Sequence, residues 1–160
     1  MDIYIGKFVN THGIKGEIRI LSDVAYKKEI FQKGNKLYIG KNKTPFIIQN
    51  YRVHKNYDMI TFENVTDINE MLPFKGENIY IKKEEIKVDG YFDEEMINLD
   101  VYTDHLIGKV VEIRKEYQDL LVVKGKKEYL IPNLPVFIQK IDIENKKIYI
   151  HNIEGLIDEN

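Results

Sequence analysis

The residues best suited to chemistry are four histidines, His12, His54, His105 and His151, and no two of them fall at the HExxH spacing of a helical zinc site. His12 opens HGIKGE, residues 12–17, whose two glycines favour a bend but complete neither GxGxxG nor GxxxxGK[ST], the usual phosphate cradles. As a general base His12 lacks a nucleophile and an orienting acid at a usable spacing, which favours a packed or surface-binding imidazole. Glu94 and Glu95 are adjacent, so on a strand they would face opposite sides and fail as a paired acid and base. With Asp93 they read instead as contacts for a polar or basic partner. The chain has no cysteine, which excludes thiol nucleophiles, disulfides and thiolate metal sites. No metal or cofactor is implied.

Binding chemistry has more material. Lys7, Lys15, Arg19 and Arg52 could meet RNA phosphates, and Tyr51 and Tyr57 could stack on bases or equally fill a small core; an aromatic-basic recognition motif is absent. The net charge of -2 hides an asymmetry, because residues 1–88 carry 15 Lys plus Arg against 11 Asp plus Glu and the remainder 9 against 15. Opposite polarity in the two halves suggests different partners, nucleic acid for the first and a basic protein for the second, although solvated faces would look the same. Two other readings stay open at this point: a small-barrel enzyme using His12 with a distant acid, and a general RNA-binding module.

The elements that must carry these residues are short strands. DIYIGKFV, EIRIL, KLYIG, PFIIQNYRV, DMITFENV and NIYIKK alternate apolar and polar residues, and Pro45 suits a strand entrance because it cannot donate a ladder hydrogen bond. Ile14 is expected to tuck into the core and Lys15 to face water. DVAYKKEIF reads as a short helix or turn with Asp23 as its cap. TDINEML carries a capping box at Asp67 and Glu70, with Pro73 stopping the helix and Ile68, Met71 and Leu72 plugging a barrel end. NLDVY, IGKVVEI, DLLVVKG, EYLIP, VFIQKI and KKIYIHN supply further strands before the closing EGLIDEN. Without crossover helices this is an all-β chain of two antiparallel barrels in tandem, divided as residues 1–86 and 87–160. The stretch Tyr91–Ile107 opens the second half as an anchored junction, since Gly, Ser and Pro are nearly absent from it. No segment is long and apolar enough to cross a bilayer and MDIYIGKF lacks the form of an export signal, so a cytoplasmic location is expected.

Read together, IGKFVNTHGIKGEIRI, FENVTDINEMLPFKGENIYI, YFDEEMINLDVY, LIGKVVEI, DLLVV, EYLIP, IDIENKKIYI and EGLID resemble the bacterial ribosome maturation factor family RimM over nearly the whole chain. The resemblance implies an N-terminal six-stranded translation-factor-like barrel and a C-terminal PRC-type β-barrel, with short helices. It implies a non-enzymatic, monomeric assembly factor without cofactor. Its partner would be the head of the immature small ribosomal subunit, including ribosomal protein nineteen of that subunit, and it would promote maturation around the 16S rRNA. The family's N-terminal motif falls on Gly6, His12, Gly13, Ile14, Lys15, Gly16 and Glu17. Its aromatic pair falls on Tyr91 and Phe92, where two tyrosines are usual, so a hydrogen bond through the second hydroxyl does not carry over. Asn98 stands where the family has glycine, and Glu116–Asp119 replaces a GAND-like bend. The partner-binding or interdomain set expected from these residues is Tyr91, Phe92, Asp93, Glu94 and Glu95 with Pro132, Leu134, Pro135 and Phe137, while Lys7, Arg19 and Arg52 are candidates to face rRNA.

Overall fold

The structure, a computed structural model, describes residues 1–151 and the backbone of residues 157 and 158. The chain forms two compact units, Met1–Gly90 and Tyr91–Asn160, each a β-sheet with short helices. Residues 87–90, expected in the second half, group with the first: Ile86 is buried, and at Gly90, φ 147°, an added Cβ would lie 2.1 Å from the Tyr26 hydroxyl.

Six strands build the first unit: β1 Asp2–His12, β2 Glu17–Leu21, β3 Lys36–Ile39, β4 Thr44–His54, β5 Tyr57–Phe62 and β6 Asn78–Lys82. They pair in the order β1-β2-β5-β4-β3-β6, and β6 returns to β1, so the sheet has no free edge. Ile3 and Ile5, like Ile18 and Ile20, point inward because side chains alternate across a strand, and the register shift between Tyr4 and Gly6 brings Phe8 inside as well. Register shifts at Tyr4/Gly6, Phe8/Asn10 and Ile48/Asn50 mark irregularities of the kind that bend strands in a small closed sheet. Gly6 allows the tightest approach, for a Cβ there would lie 2.6 Å from the Leu21 carbonyl oxygen.

Two expectations for the first unit's helices need correcting. The helix α1, Lys27–Ile30, starts after Tyr26 in the left-handed region, φ 66°, so Asp23 is not its cap. Asp67 and Glu70 do form the capping box: Asp67 accepts from Asn69 N at 2.7 Å, and Glu70 accepts from Thr66 N and Asp67 N at 2.8 and 3.0 Å. It starts only a 3-10 turn, Ile68–Glu70, and Pro73 lies inside a second such turn, Leu72–Phe74, near whose start its missing N–H costs no bond. Met71 is buried, whereas Leu72 is exposed and does not plug the sheet.

The first unit holds one buried charge among the described residues. Asp58 on β5 accepts from the Tyr51 hydroxyl at 2.6 Å and pairs with Lys27 Nζ at 2.8 Å, while Phe31 stacks on Tyr51 at 5.0 Å between centroids. Burial and the Asp58 carboxylate push the Tyr51 phenol well above its ordinary range, and burial with Glu85, 2.7 Å away, pushes Tyr38 up to about 12. A phenol whose folded pKa is raised adds stability below the unfolded value, about 10, and loses it as pH rises beyond that. Alkaline absorbance titration should therefore show Tyr38 and Tyr51 ionising above the main tyrosine phase; ionisation of all the tyrosines in one step near pH 10 would contradict this.

The second unit is a seven-stranded sheet ordered β11-β12-β7-β8-β9-β10-β13. Its strands are β7 Asp100–Tyr102, β8 Leu106–Lys115, β9 Asp119–Lys124, β10 Glu128–Pro132, β11 Ile138–Asp142, β12 Lys147–Ile150 and β13 Ile157–Asp158. It is not wholly antiparallel as expected, because β12 runs parallel to β7, and the intervening strands rather than a helix make the crossover. Met96, Val101, Val110, Leu121, Ile131 and Ile148 lie in its core. Val111 is exposed; the register shift between Val110 and Glu112 interrupts the pairing there. Of the closing EGLIDEN, only Ile157 and Asp158 are described, as the strand opposite Glu128 and Tyr129.

Candidate functional site

Gly13 and Gly16 both have positive φ, 70° and 99°, which lets the chain turn from β1 into β2 within four residues. The turn is tied down: Ile68 N donates to Ile14 O at 2.9 Å, and a Cβ on Gly16 would lie 2.7 Å from Val65 Cγ1. Ile14 is not in the core as expected but 78% exposed, because the turn carries it beyond the sheet's end. Gly16→Ala combines the wrong backbone region with a steric clash and should cost about 1–3 kcal/mol. A urea midpoint equal to that of the native chain would refute the constraint.

The turn returns His12 opposite Glu17, and the β2-β5-β4 pairing brings Arg19 and Arg52 both opposite Met59. A connected group of side chains results. Arg19 Nη2 lies 2.8 Å from His12 Nδ1, so the imidazole accepts there and the lone pair a general base would need is occupied. Arg52 grips Glu17 with two bonds, 2.9 and 2.7 Å, and holds its carboxyl below the usual range. The His12 and His54 rings stand 5.8 Å apart, and Arg19 lies 5.8 Å from the centre of the Tyr57 ring. Burial, followed by Arg52, Lys55, His12 and Arg19, pushes His54 below its ordinary value.

Of the residues expected to face RNA, Lys7 is exposed on β1, while Arg52 is engaged by Glu17 and Arg19 by His12. Tyr51 is not a free stacking platform, because its ring lies on Phe31 and its hydroxyl bonds Asp58. The sequence names His54 among the four histidines but gives no sign that it joins His12 and Arg19. Its place opposite Tyr57 closes a two-residue hairpin turn.

In the second unit, Asp93–Met96 forms a helical turn, α2, and Glu95 accepts from Phe92 N at 2.8 Å. The acids thus fan around a turn instead of alternating on a strand. Burial, helped by Asp93, raises the Glu94 carboxyl above its ordinary value. The aromatic pair is split: Tyr91 is 39% exposed and Phe92 only 3%, so Phe92 packs rather than presenting a ring. Asn98 takes the left-handed conformation, φ 72°, that its family counterpart suggests for glycine.

The second candidate patch changes as well. Pro132 ends β10 buried, and Phe137 is partly buried against the core, so neither is a freely exposed anchor. Leu134, 37% exposed, Pro135 and the overlooked Val136, 70% exposed, form the outward part. Lys115 bonds Asp93 at 2.8 Å and Asp119 at 2.9 Å; Asn133 N reaches Asp119 O at 2.9 Å, and the Asn133 side chain approaches Met96 Sδ at 4.0 Å. Although burial opposes its charge, the two carboxylates hold the Lys115 ammonium above its ordinary value. These ties bring α2, the 115–119 turn and the 133–137 loop to one end of the sheet. Acids and exposed apolar side chains meet there.

Among the described residues no group of three or more His, Asp or Glu could hold a metal ion, and no helix is long and apolar enough to cross a membrane. The chain is thus two β units in tandem, with the His12 imidazole held by Arg19. The RimM N-terminal domain model matches residues 3–86 and the RimM PRC barrel domain model residues 93–156, and the chain belongs to the RimM family. It is 37% identical to the ribosome maturation factor RimM of Staphylococcus epidermidis and 40% identical to that of Staphylococcus saprophyticus, over 99% of this chain and all of each relative. A crystal structure of a 16S ribosomal RNA processing protein RimM from Pseudomonas aeruginosa is 19% identical, with a TM-score of 0.49, covering 98% of this chain and 100% of that one.

Proposed function

We propose that this chain is a non-enzymatic assembly factor that binds the head of the immature small ribosomal subunit and promotes maturation around the 16S rRNA. On this reading its first unit is a translation-factor-like barrel and its second a PRC-type barrel. The acidic second unit takes ribosomal protein nineteen of the small subunit through Tyr91, Asp93, Glu94, Leu134 and Val136, and the basic first unit bears on nearby RNA. The work is cytoplasmic, done by a monomer, and forms no covalent bond. Family membership carries the assignment. The meeting of acids with exposed apolar groups at one end of the second sheet supports a basic protein as partner, since apolar anchors contribute affinity and opposite charge steers encounter.

Co-sedimentation tests this. The purified chain should pellet with immature small subunits and fail to pellet with the same particles stripped of protein nineteen. Equal retention on both would remove that protein as the partner.

A further inference from the structure

The outer face of β1, β2, β5 and β4 contains more positive charge than its own partners neutralise. Arg19, Arg52 and the two imidazoles gather there, Lys15 stands in the turn between His12 and Glu17, and Lys55 adds to the field at His54. Glu17 is the carboxylate bonded within this group, and both its oxygens are engaged by Arg52. Arg19 is held between the His12 ring and the Tyr57 ring, and its buried Nε has no hydrogen-bond partner. Like charges this close repel one another, and a bound anion relieves the repulsion.

We propose that the face formed by His12, Arg19, His54 and Tyr57, flanked by Lys15 and Lys55, is a seat for an RNA phosphodiester. The inference rests on the assembly-factor reading and specifies where that reading's RNA contact lies. A phosphate placed between Arg19 and His54 meets a guanidinium and an imidazole, both good donors to an anion. The Tyr57 ring beside Arg19 gives an adjoining sugar or base an apolar surface, which free phosphate would not use. Arg52 supports the seat by fixing Glu17, and Glu17 weakens it by one negative charge.

Proton linkage follows from the groups facing His54: His12 on β1, Arg19 and Glu17 on β2, Arg52 and Lys55 on β4 and its turn, and Tyr57 on β5. Burial, followed by the cations, favours the neutral imidazole. An incoming phosphate favours the charged one, so binding takes up a proton and tightens as pH falls through the His54 range.

The test uses the full chain and a fluorescein-labelled RNA hairpin, read by anisotropy at low salt. Arg19→Gln should weaken binding about tenfold and Lys55→Gln about threefold, while Glu17→Gln should tighten it about threefold. Native binding should strengthen severalfold from about pH 8 to about pH 6, and His54→Gln should abolish that slope. Because Arg19 is half-buried, Arg19→Lys serves as a folded control that retains charge; thermal melts report whether each variant is folded, and Lys55→Gln tests the seat from an exposed position. Unchanged affinity in the folded variants, or a pH slope that persists in His54→Gln, overturns the seat. Inorganic phosphate is the second probe: if it moves the His54 imidazole resonance as far as the hairpin does, the occupant is a free anion and the RNA assignment fails. Pelleting with immature small subunits is measured alongside. Native pelleting with a hairpin response insensitive to the variants sinks the seat alone, whereas loss of native pelleting sinks the assembly reading while the hairpin titration still decides the seat.

Discussion

Phe92→Ala should lower the stability of the chain by about 3–5 kcal/mol, the usual loss when a large buried aromatic side chain is truncated. Tyr91→Ala, one residue earlier, should leave stability within about 0.5 kcal/mol and instead weaken attachment to immature particles, by roughly tenfold if the ring is a contact anchor. The contrast comes from exposure, 3% against 39% for adjacent aromatic residues. Substituting both rings at once would mix unfolding with lost contact. Urea midpoints beside particle affinities separate the two effects. A Phe92→Ala chain as stable as the native one, or a Tyr91→Ala chain that binds unchanged, would show that the division of roles is wrong.

Asp58→Ala should be the most damaging substitution of a polar residue in the first unit, at about 2–4 kcal/mol. It strands the Tyr51 hydroxyl and leaves Lys27 without its partner, although the lysine is exposed enough to recover hydration. That recovery keeps the loss below the upper range for a fully buried pair. Tyr51→Phe removes one bond and keeps the ion pair, so about 1 kcal/mol is expected. If the two substitutions cost the same, the Lys27 pair contributes nothing measurable and the network has been misjudged. Equilibrium unfolding of both variants decides it.

Much of the fold was legible because its signals are local. The alternation of Ile3 with Ile5 and of Ile18 with Ile20, the Asp67–Glu70 box and the bend at Gly13 and Gly16 each depend on neighbours in sequence. The errors arise where distant pairing decides. Ile14 looked apolar enough for the core, but its turn carries it past the last pairing of β1 with β2. The parallel pairing of β12 with β7 joins residues more than forty apart, which no turn signal encodes. The same limit applied to the site. His12 was visible, but His54 becomes its neighbour only through the non-sequential order β1-β2-β5-β4, so the group it forms with Arg19 and Arg52 could not be assembled from spacing. In the second unit the aromatic pair was recognised, yet its division into an exposed and a buried ring depends on tertiary packing that sequence neighbours do not encode. Val136 was passed over for Phe137 because ring size marks a good anchor and equally a good core residue.

On the proposed reading both units attach to one unfinished particle without covalent chemistry. The most direct measurement of this is the affinity of the full chain for purified immature small subunits, with Val136→Asp altering the second unit's exposed end and Lys55→Gln altering the first unit's basic face. Each substitution should weaken binding toward the level of the other unit's contact alone, and the combination should weaken it further, because linked sites raise each other's effective concentration. Native affinity retained by both single variants and by their combination would contradict it.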